Sequence, residues 1–350
     1  MDTVTHGLTG LLIARALPEE WKSGHPKTAT AAVVLGSVLP DADNVATLLG
    51  SELYLRIHRG LSHSLLGISF SSLVVALLFS RYGKWKDGKR LYLLVSLGQL
   101  SHVALDLLNS YGTQILQPFS DARLAMDLLF IVDLAFTGIV LAGIVLSRRN
   151  PFRARAALAG LAAYVGVAAI FHAGAVDAVR DAARRAGVPV VSAQALPRLP
   201  YLELPSPDRL AFAPPAAAGT GRAMGGTAEG GGKPFAIPFP AGPFSWNGFI
   251  DDGKTYLRAE VDPLTGSVKW RQRALRGSDL PQVRALRGMA DVETYLWFAR
   301  FPAVQVASSG GKTVLTFFDL RFGGLTAGRR PFLLRVIEAP GAPPRAQWRM

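Results

Sequence analysis

The chain has 350 residues, of which 49% are hydrophobic and 18% charged, and its formal net charge is +13. It holds no cysteine, which excludes disulfides, thiolate metal sites and cysteine nucleophiles together. The length allows two domains, and no aromatic-interleaved basic strip of the kind that reads nucleic acid is present. The basic excess sits in short loops beside apolar stretches and in the tail, which fits membrane topology and anionic headgroups instead. The N-terminus lacks a basic region followed by a long apolar core, so no cleavable signal peptide is expected and insertion relies on internal segments.

In chain order, the first elements are two short apolar stretches, 7–17 and 28–39, either side of the turn Trp21-Lys22-Ser23-Gly24-His25-Pro26-Lys27. Both are short for a hydrocarbon core of about 30 Å, and a short or re-entrant hairpin sheltered by other helices fits them. Pro40 is expected to end the second stretch, which leaves Asp41 and Asp43 in extended chain with their carboxylates aligned. Three longer stretches follow, 62–80, 91–108 and 126–147. At 1.5 Å per residue each covers roughly 27–33 Å and qualifies as a span. A fourth stretch, 154–173, is rich in Ala and Gly and suits packing by small-residue contact.

The loops orient these spans. Arg81, Lys84, Lys86, Lys89 and Arg90 lie in one, and Arg148, Arg149, Arg153 and Arg155 in the next but one. The positive-inside rule places both in the cytoplasm. His58, His63, His102, Asp106, Asp127 and Asp133 then fall at outer helix ends, joined by His6, Asp41 and Asp43 if the hairpin crosses. Beyond residue 173 the apolar character stops. Residues 177–186 suit a short exposed helix, and 213–234 read as a flexible Ala/Gly/Pro linker. Strand signals follow at 254–261, 268–271, 313–318 and 332–337, with turns at Asp262-Pro263-Leu264-Thr265-Gly266 and Ser309-Gly310-Gly311. The expected fold is mainly α: a polytopic transmembrane helical bundle over 1–173, a connecting helix and linker over 174–237, and a small β-rich extramembrane domain over 238–350.

Four of the six histidines stand in a pattern with acids. His102 and Asp106, four apart on a helix, share a face. His58 and His63 bracket a turn containing Gly60, and Ser62 is a candidate N-cap of the helix that follows. Imidazole and carboxylate are ligands for hydrolytic metal ions, and ionisable residues near lipid are rare without a role. The set exceeds what one tetrahedral zinc needs and fits a site of two or three metals. Arg59 and Arg123 lie nearby in sequence and could clamp an anionic group. The plainer alternatives stay open: His102 and Asp106 as a hydrogen bond inside a bundle, and Asp41 and Asp43 as a cap or Asx-turn. His25 and His172 are read as ordinary hydrogen-bonded histidines, and Asp121, Asp127 and Asp133 as secondary candidates.

The motifs Met1-Asp2-x-x-Thr5-His6, Pro40-Asp41-x-Asp43, His58-Arg59-Gly60-x-Ser62-His63-Ser64 and His102-x-x-x-Asp106, followed by Tyr111-Gly112 and Pro118-Phe119-Ser120, resemble those of the YdjM-like membrane-bound metal-dependent hydrolases of bacteria. The resemblance covers about the first 145 residues; 238–246 and 298–322 are similar to the tail of longer members. That family is in turn similar to bacterial zinc-dependent phospholipase C, an all-helical enzyme with a His/Asp trinuclear zinc site. The resemblance implies His6, Asp41, His58, His63, His102 and Asp106 as ligands.

Together these readings give a bacterial inner-membrane, multi-pass hydrolase with its site and C-terminal domain on the extracytoplasmic side. Its metal residues are His6, Asp41, Asp43, His58, His63, His102 and Asp106, and its catalytic residues Asp43 and Arg59. The cofactor is a divalent metal, two or three zinc ions with manganese as the alternative. Its partners are the lipid bilayer and a phospholipid or lipid-linked substrate, attacked at a phosphate or carboxylic ester, and not nucleic acid. The alternative is a non-enzymatic membrane protein with a structural or transport metal site and an envelope partner-binding β domain.

Overall fold

The computed structural model describes residues 1–22, 24–148, 150–198, 201–202, 237–238, 243–309, 311–322 and 332–349. The linker expected at 213–234, together with Ser23 and Arg149, lies outside the described residues. The chain divides into two compact units, the first made mainly of Met1–Gly174 and the second beginning at Ala175.

The first unit is helical. Helix α1 (Thr3–Ala16) starts where the Asp2 side chain accepts from the Thr5 amide, and α2 (Glu19–Lys22) is a single turn. Helix α3 (Pro26–Val38) has proline in its first turn, where no amide hydrogen is needed. Asp and Ser caps also open α5 (Leu65–Tyr82, cap Ser64), α6 (Gly88–Leu107, cap Asp87) and α7 (Leu134–Leu146, cap Asp133). Between α3 and α5 lie a 3-10 helix, Leu39–Leu49, and α4 (Ser51–Ile57). The unit's last helix is the start of α8 (Pro151–Arg185).

Several expectations need correction. The α-helix does end at Val38, just before Pro40, but the chain continues as a 3-10 helix and not as extended chain, because proline at its first turn costs no hydrogen bond. Asp41 and Asp43 are therefore not in extended chain. At three residues per turn, a spacing of two leaves their side chains about 120° apart around the axis, and their nearest partners differ, Thr3 and His102 for Asp41, His58 and Ser62 for Asp43. Pro26–Leu49 is thus a 24-residue helical segment, long and apolar enough to cross a membrane, as are Leu65–Tyr82 and Pro151–Arg185. The 91–108 stretch is not among these candidates. It is α6, which buries Gln99, His102 and Asp106 within the unit. The 126–147 stretch is helical only from Leu134, since the amides of Met126, Leu128 and Leu129 bond the final carbonyls of the α6 region, Leu107 and Leu108. Stretches 154–173 and 177–186 belong to one 35-residue helix. Ser64, not Ser62, caps α5, accepting from the Gly67 amide at 3.0 Å.

Two apolar clusters hold the bundle. One joins α1, α3, α5 and α6 through Ala14, Val33, Ala76 and Leu94; the other joins α1, α6, α7 and α8 through Leu12, Leu105, Phe136 and Leu161. Helices α3 and α6 meet backbone to backbone at Gly36 and Gly98. A Cβ on Gly98 would fall on the Val33 carbonyl oxygen, and one on Gly36 on that of Val95. This approach sets the site, because His102 stands one turn beyond Gly98 and bonds the carbonyl of Ser37, next to Gly36. Gly98→Ala is expected to lower stability by about 1–3 kcal/mol through overpacking. An unfolding curve in detergent that matches wild type would mean that the two helices are not this close.

The second unit holds most of the β structure. The described strands are β1 (Ser192–Pro197), β2 (Tyr201–Leu202), β3 (Ile237–Pro238), β4 (Trp246–Asp251), β5 (Thr255–Asp262), β6 (Ser267–Leu275), β7 (Pro302–Ser309), β8 (Lys312–Asp319), β9 (Leu333–Ala339) and β10 (Ala342–Arg349). One four-stranded sheet runs β1-β4-β5-β6 and a second β10-β9-β8-β7, while β2 and β3 pair alone. Hairpin β5–β6 turns where expected, with Asp262 accepting from the Leu264 amide and Gly266 at φ 66°. Helices α9 (Pro281–Ala285) and α10 (Ala290–Phe298) were not foreseen. Val283, Leu286, Val292 and Tyr295 pack them and the turn between them on Phe317, Leu334 and Val336 of the second sheet.

Candidate metal centre

Seven side chains converge at one end of the bundle: His6 from α1, Asp41 and Asp43 from the 3-10 helix, His58 and His63 from the segments flanking Gly60, and His102 and Asp106 from α6. They form three overlapping groups, His6/Asp41/His102, His63/His102/Asp106 and Asp41/Asp43/His58, each with ligand atoms within 4.8 Å of one another. His6, His63, His102 and Asp106 are fully buried. The carboxylates of Asp41 and Asp43 retain 8% and 5% exposure, so the centre reaches solvent on that side.

The hydrogen bonds fix the tautomers. His102 Nδ1 lies 2.8 Å from the Ser37 carbonyl oxygen, which only accepts, so Nδ1 carries the proton and Nε2 a lone pair. Ser62 donates its single hydroxyl hydrogen to Asp43 Oδ2 at 2.6 Å, which leaves its oxygen to accept from His63 Nδ1 at 2.9 Å. His63 Nε2 then also presents a lone pair. The two Nε2 atoms face each other at 3.1 Å. Two acceptors at that distance repel unless a proton or cation lies between them. Around them, Asp106 Oδ2 is 3.4 Å from His63 Nε2 and 3.5 Å from His102 Nε2, and Asp41 Oδ1 is 3.6 Å from His102 Nε2. Ligand atoms on one tetrahedral zinc stand about 3.3 Å apart, given Zn–N bonds of about 2.0–2.1 Å. Among the described residues, Asp106 Oδ2 and both ring nitrogens of His6 are buried without a hydrogen-bond partner. Burying such groups unpaired is costly, and a cation would satisfy Asp106 Oδ2 and the lone-pair nitrogen of His6.

Remaining contacts orient this set. His6 stacks on His102 with ring centroids 3.7 Å apart. Asp43 Oδ1 accepts from His58 Nδ1 at 2.8 Å and Oδ2 from the Arg59 amide at 3.0 Å. Burial pushes His58 below its ordinary pKa, against the pull of Asp43. Burial also pushes His63 down, but Asp106 and Asp43 outweigh it and raise the pKa. Asp106 Oδ1 meets the Met1 amine, Arg59 Nη2 at 2.9 Å and His6 Nε2 at 3.2 Å. Arg59, at φ 62°, also donates to Asn109 Oδ1 at 2.9 Å and lies over the Tyr111 ring.

Several participants were not singled out from the sequence: Thr3, which donates to Asp41; Tyr54, stacked on His58; Asn109; and the Met1 amine. Tyr54 stands four before His58 and Asn109 three after Asp106, spacings that could have marked them. The secondary candidates lie outside the three groups. Asp133 caps α7 and accepts from Tyr164 at 2.9 Å, and Arg123 packs over Tyr111 and donates to the Gly112 carbonyl at 3.0 Å. His25 stacks on Trp85 and His172 bonds the Ala195 carbonyl.

Comparison with known proteins gives a similar extent. "Uncharacterized protein YfhP" of Bacillus subtilis (strain 168) is 32% identical over 137 residues, which cover 38% of this chain and 42% of that one. The match therefore spans less than half the length of that relative. No solved structure matches the chain. The family model described as YdjM inner membrane protein matches residues 1–175, the half that contains all seven converging side chains. On that match the chain belongs to the YdjM inner membrane protein family.

Proposed function

We propose that the chain is a membrane-bound, metal-dependent hydrolase acting on a phosphate or carboxylic ester of a lipid. The observation that carries this reading is the 3.1 Å approach of the Nε2 atoms of His63 and His102, ringed by Asp41 and Asp106. His6, Asp41, Asp43, His58, His63, His102 and Asp106 would hold two or three divalent cations, zinc or manganese. Such ions supply Lewis acidity and ease deprotonation of water near neutral pH.

The chain's own residues set the rest. Ser37 and Ser62 hold the two central imidazoles in the tautomer that leaves Nε2 free to bind. Asp43 and His58, hydrogen-bonded to each other at the more exposed side, would hold the ion whose bound water attacks. Arg59 acts as a positioning residue that neutralises and aims Asp106. The basic loops around Lys86 and Arg153 support a cytoplasmic placement of the opposite helix ends, and hence an extracytoplasmic centre.

One observation favours a second reading. Four of the seven side chains are fully buried, as suits a closed structural or transport site. Purified full-length protein, reconstituted with zinc or manganese in detergent, separates the two. The hydrolase reading expects turnover of one class among phosphodiester, phosphomonoester and carboxylester lipids, lost on chelation and in Asp43→Asn. Stoichiometric metal with no turnover of any class would favour the structural or transport site.

A further inference from the structure

We propose that a groove on the outside of the bundle, between α5 and the start of α6, seats an acyl chain of a lipid whose ester or phosphate reaches the metal centre. The inference rests on the hydrolase reading for the identity of the head and on the groove for the chain.

The groove encloses about 790 Å³. Leu61 and Leu66 form one end, Phe70, Leu73 and Leu77 the wall, and Lys89 with Tyr92 the other end. Lys89 is its single charged lining residue among the described residues. Leu61 sits two residues before His63, in the 3-10 turn Leu61–His63, so that end of the groove adjoins the centre along the chain. The wall belongs to Leu65–Tyr82, a candidate membrane span of which only 17% is buried within the protein. Hydrocarbon is the medium such a helix meets.

Length selects the occupant. Leu66 to Leu77 rises about 16 Å along α5, about half of a 30 Å hydrocarbon core. That is the reach of one leaflet's chain, with the head at the end where the histidines lie. A partner span would cross the whole core and outrun the groove. Lys89, exposed at the far end, can lay its stem along the chain and turn its ammonium towards the opposite interface.

The test fills the groove without touching the centre. Ser69→Trp with Leu73→Trp places two indoles along the lining; Val74→Trp and Leu78→Trp, exposed on α5 and outside the lining, are the controls. The probe is pyrene-labelled phosphatidylglycerol, titrated into the zinc-loaded full-length protein in non-ionic detergent. The filled variant is expected to bind at least about fivefold more weakly, the effect of losing about ten carbon–carbon packing contacts with the wall at about 0.1 kcal/mol each. The controls should stay within about twofold of wild type. Equal binding by filled variant and wild type overturns the proposal. The readout needs no turnover. A probe that binds through the groove but is never hydrolysed, with zinc or manganese, removes the hydrolase reading and leaves the seat in place.

Discussion

Replacing His63 and His102 together with alanine is expected to lower metal affinity of the purified protein by more than about hundredfold, since loss of outer partners alone typically costs 10–100-fold. The pair is chosen for its place in the geometry. Their Nε2 atoms are 3.1 Å apart, and His102 is shared by two of the three ligand groups. Removing both leaves His6 as the remaining imidazole beside Asp41 and Asp106 while leaving the bundle's apolar clusters intact. Metal analysis after dialysis and a detergent melt, run side by side, separate the outcomes. Loss of metal with a retained melting transition supports the centre; wild-type metal content in the double variant removes it. The same titration carries a pH signature. The pKa of His63 is raised because Asp106 and Asp43 outweigh burial, so its ring keeps a proton to higher pH than an ordinary imidazole. Metal requires the neutral ring. Affinity should therefore fall as pH drops through the His63 range, and that part of the dependence should be lost in the double variant.

The convergence of these side chains was legible because each motif carries its own local geometry. His102 and Asp106 share a helix face by spacing alone, and the observed Nε2–Oδ2 distance of 3.5 Å reflects it. What local pattern could not give was the route of the chain between motifs. Pro40 read as a stop, yet proline in the first turn of a 3-10 helix loses nothing, and the turn sends Asp41 towards His102 and Asp43 towards His58. Met126 to Leu129 read as membrane span because they are apolar, but their amides are spent on the end of α6. Hydropathy cannot report where a backbone hydrogen bond goes. Ser62 and Ser64 look alike as caps; tertiary contact with Asp43 gives the first a different task. In the second unit, the helices at 281–285 and 290–298 are too short for a clear period and form by packing on a sheet.

Arg59→Ala should be the most damaging single substitution near the centre that removes no candidate ligand. Its guanidinium is buried and holds Asp106 Oδ1 at 2.9 Å and Asn109 Oδ1 at 2.9 Å, while Asp106 itself has no exposure. Removing one partner of such a pair typically costs about 3–5 kcal/mol, because the remaining charge stays buried. The Met1 amine and three imidazoles still face Asp106, so the lower part of that range is expected. Arg59→Lys keeps the charge but not the planar fork that spans Asp106 and Asn109, and should recover only part of the loss. The sequence also allows Arg59 to clamp a substrate anion, and the two roles differ in what they move. A clamp would raise KM and leave stability and metal affinity unchanged. A positioning residue lowers both stability and metal affinity in Arg59→Ala, the latter by about 10–100-fold, with partial return in Arg59→Lys. Denaturant unfolding in detergent and metal titration on the same three proteins decide it. Wild-type stability and metal affinity in Arg59→Ala would leave the ion pair with Asp106 without a structural role.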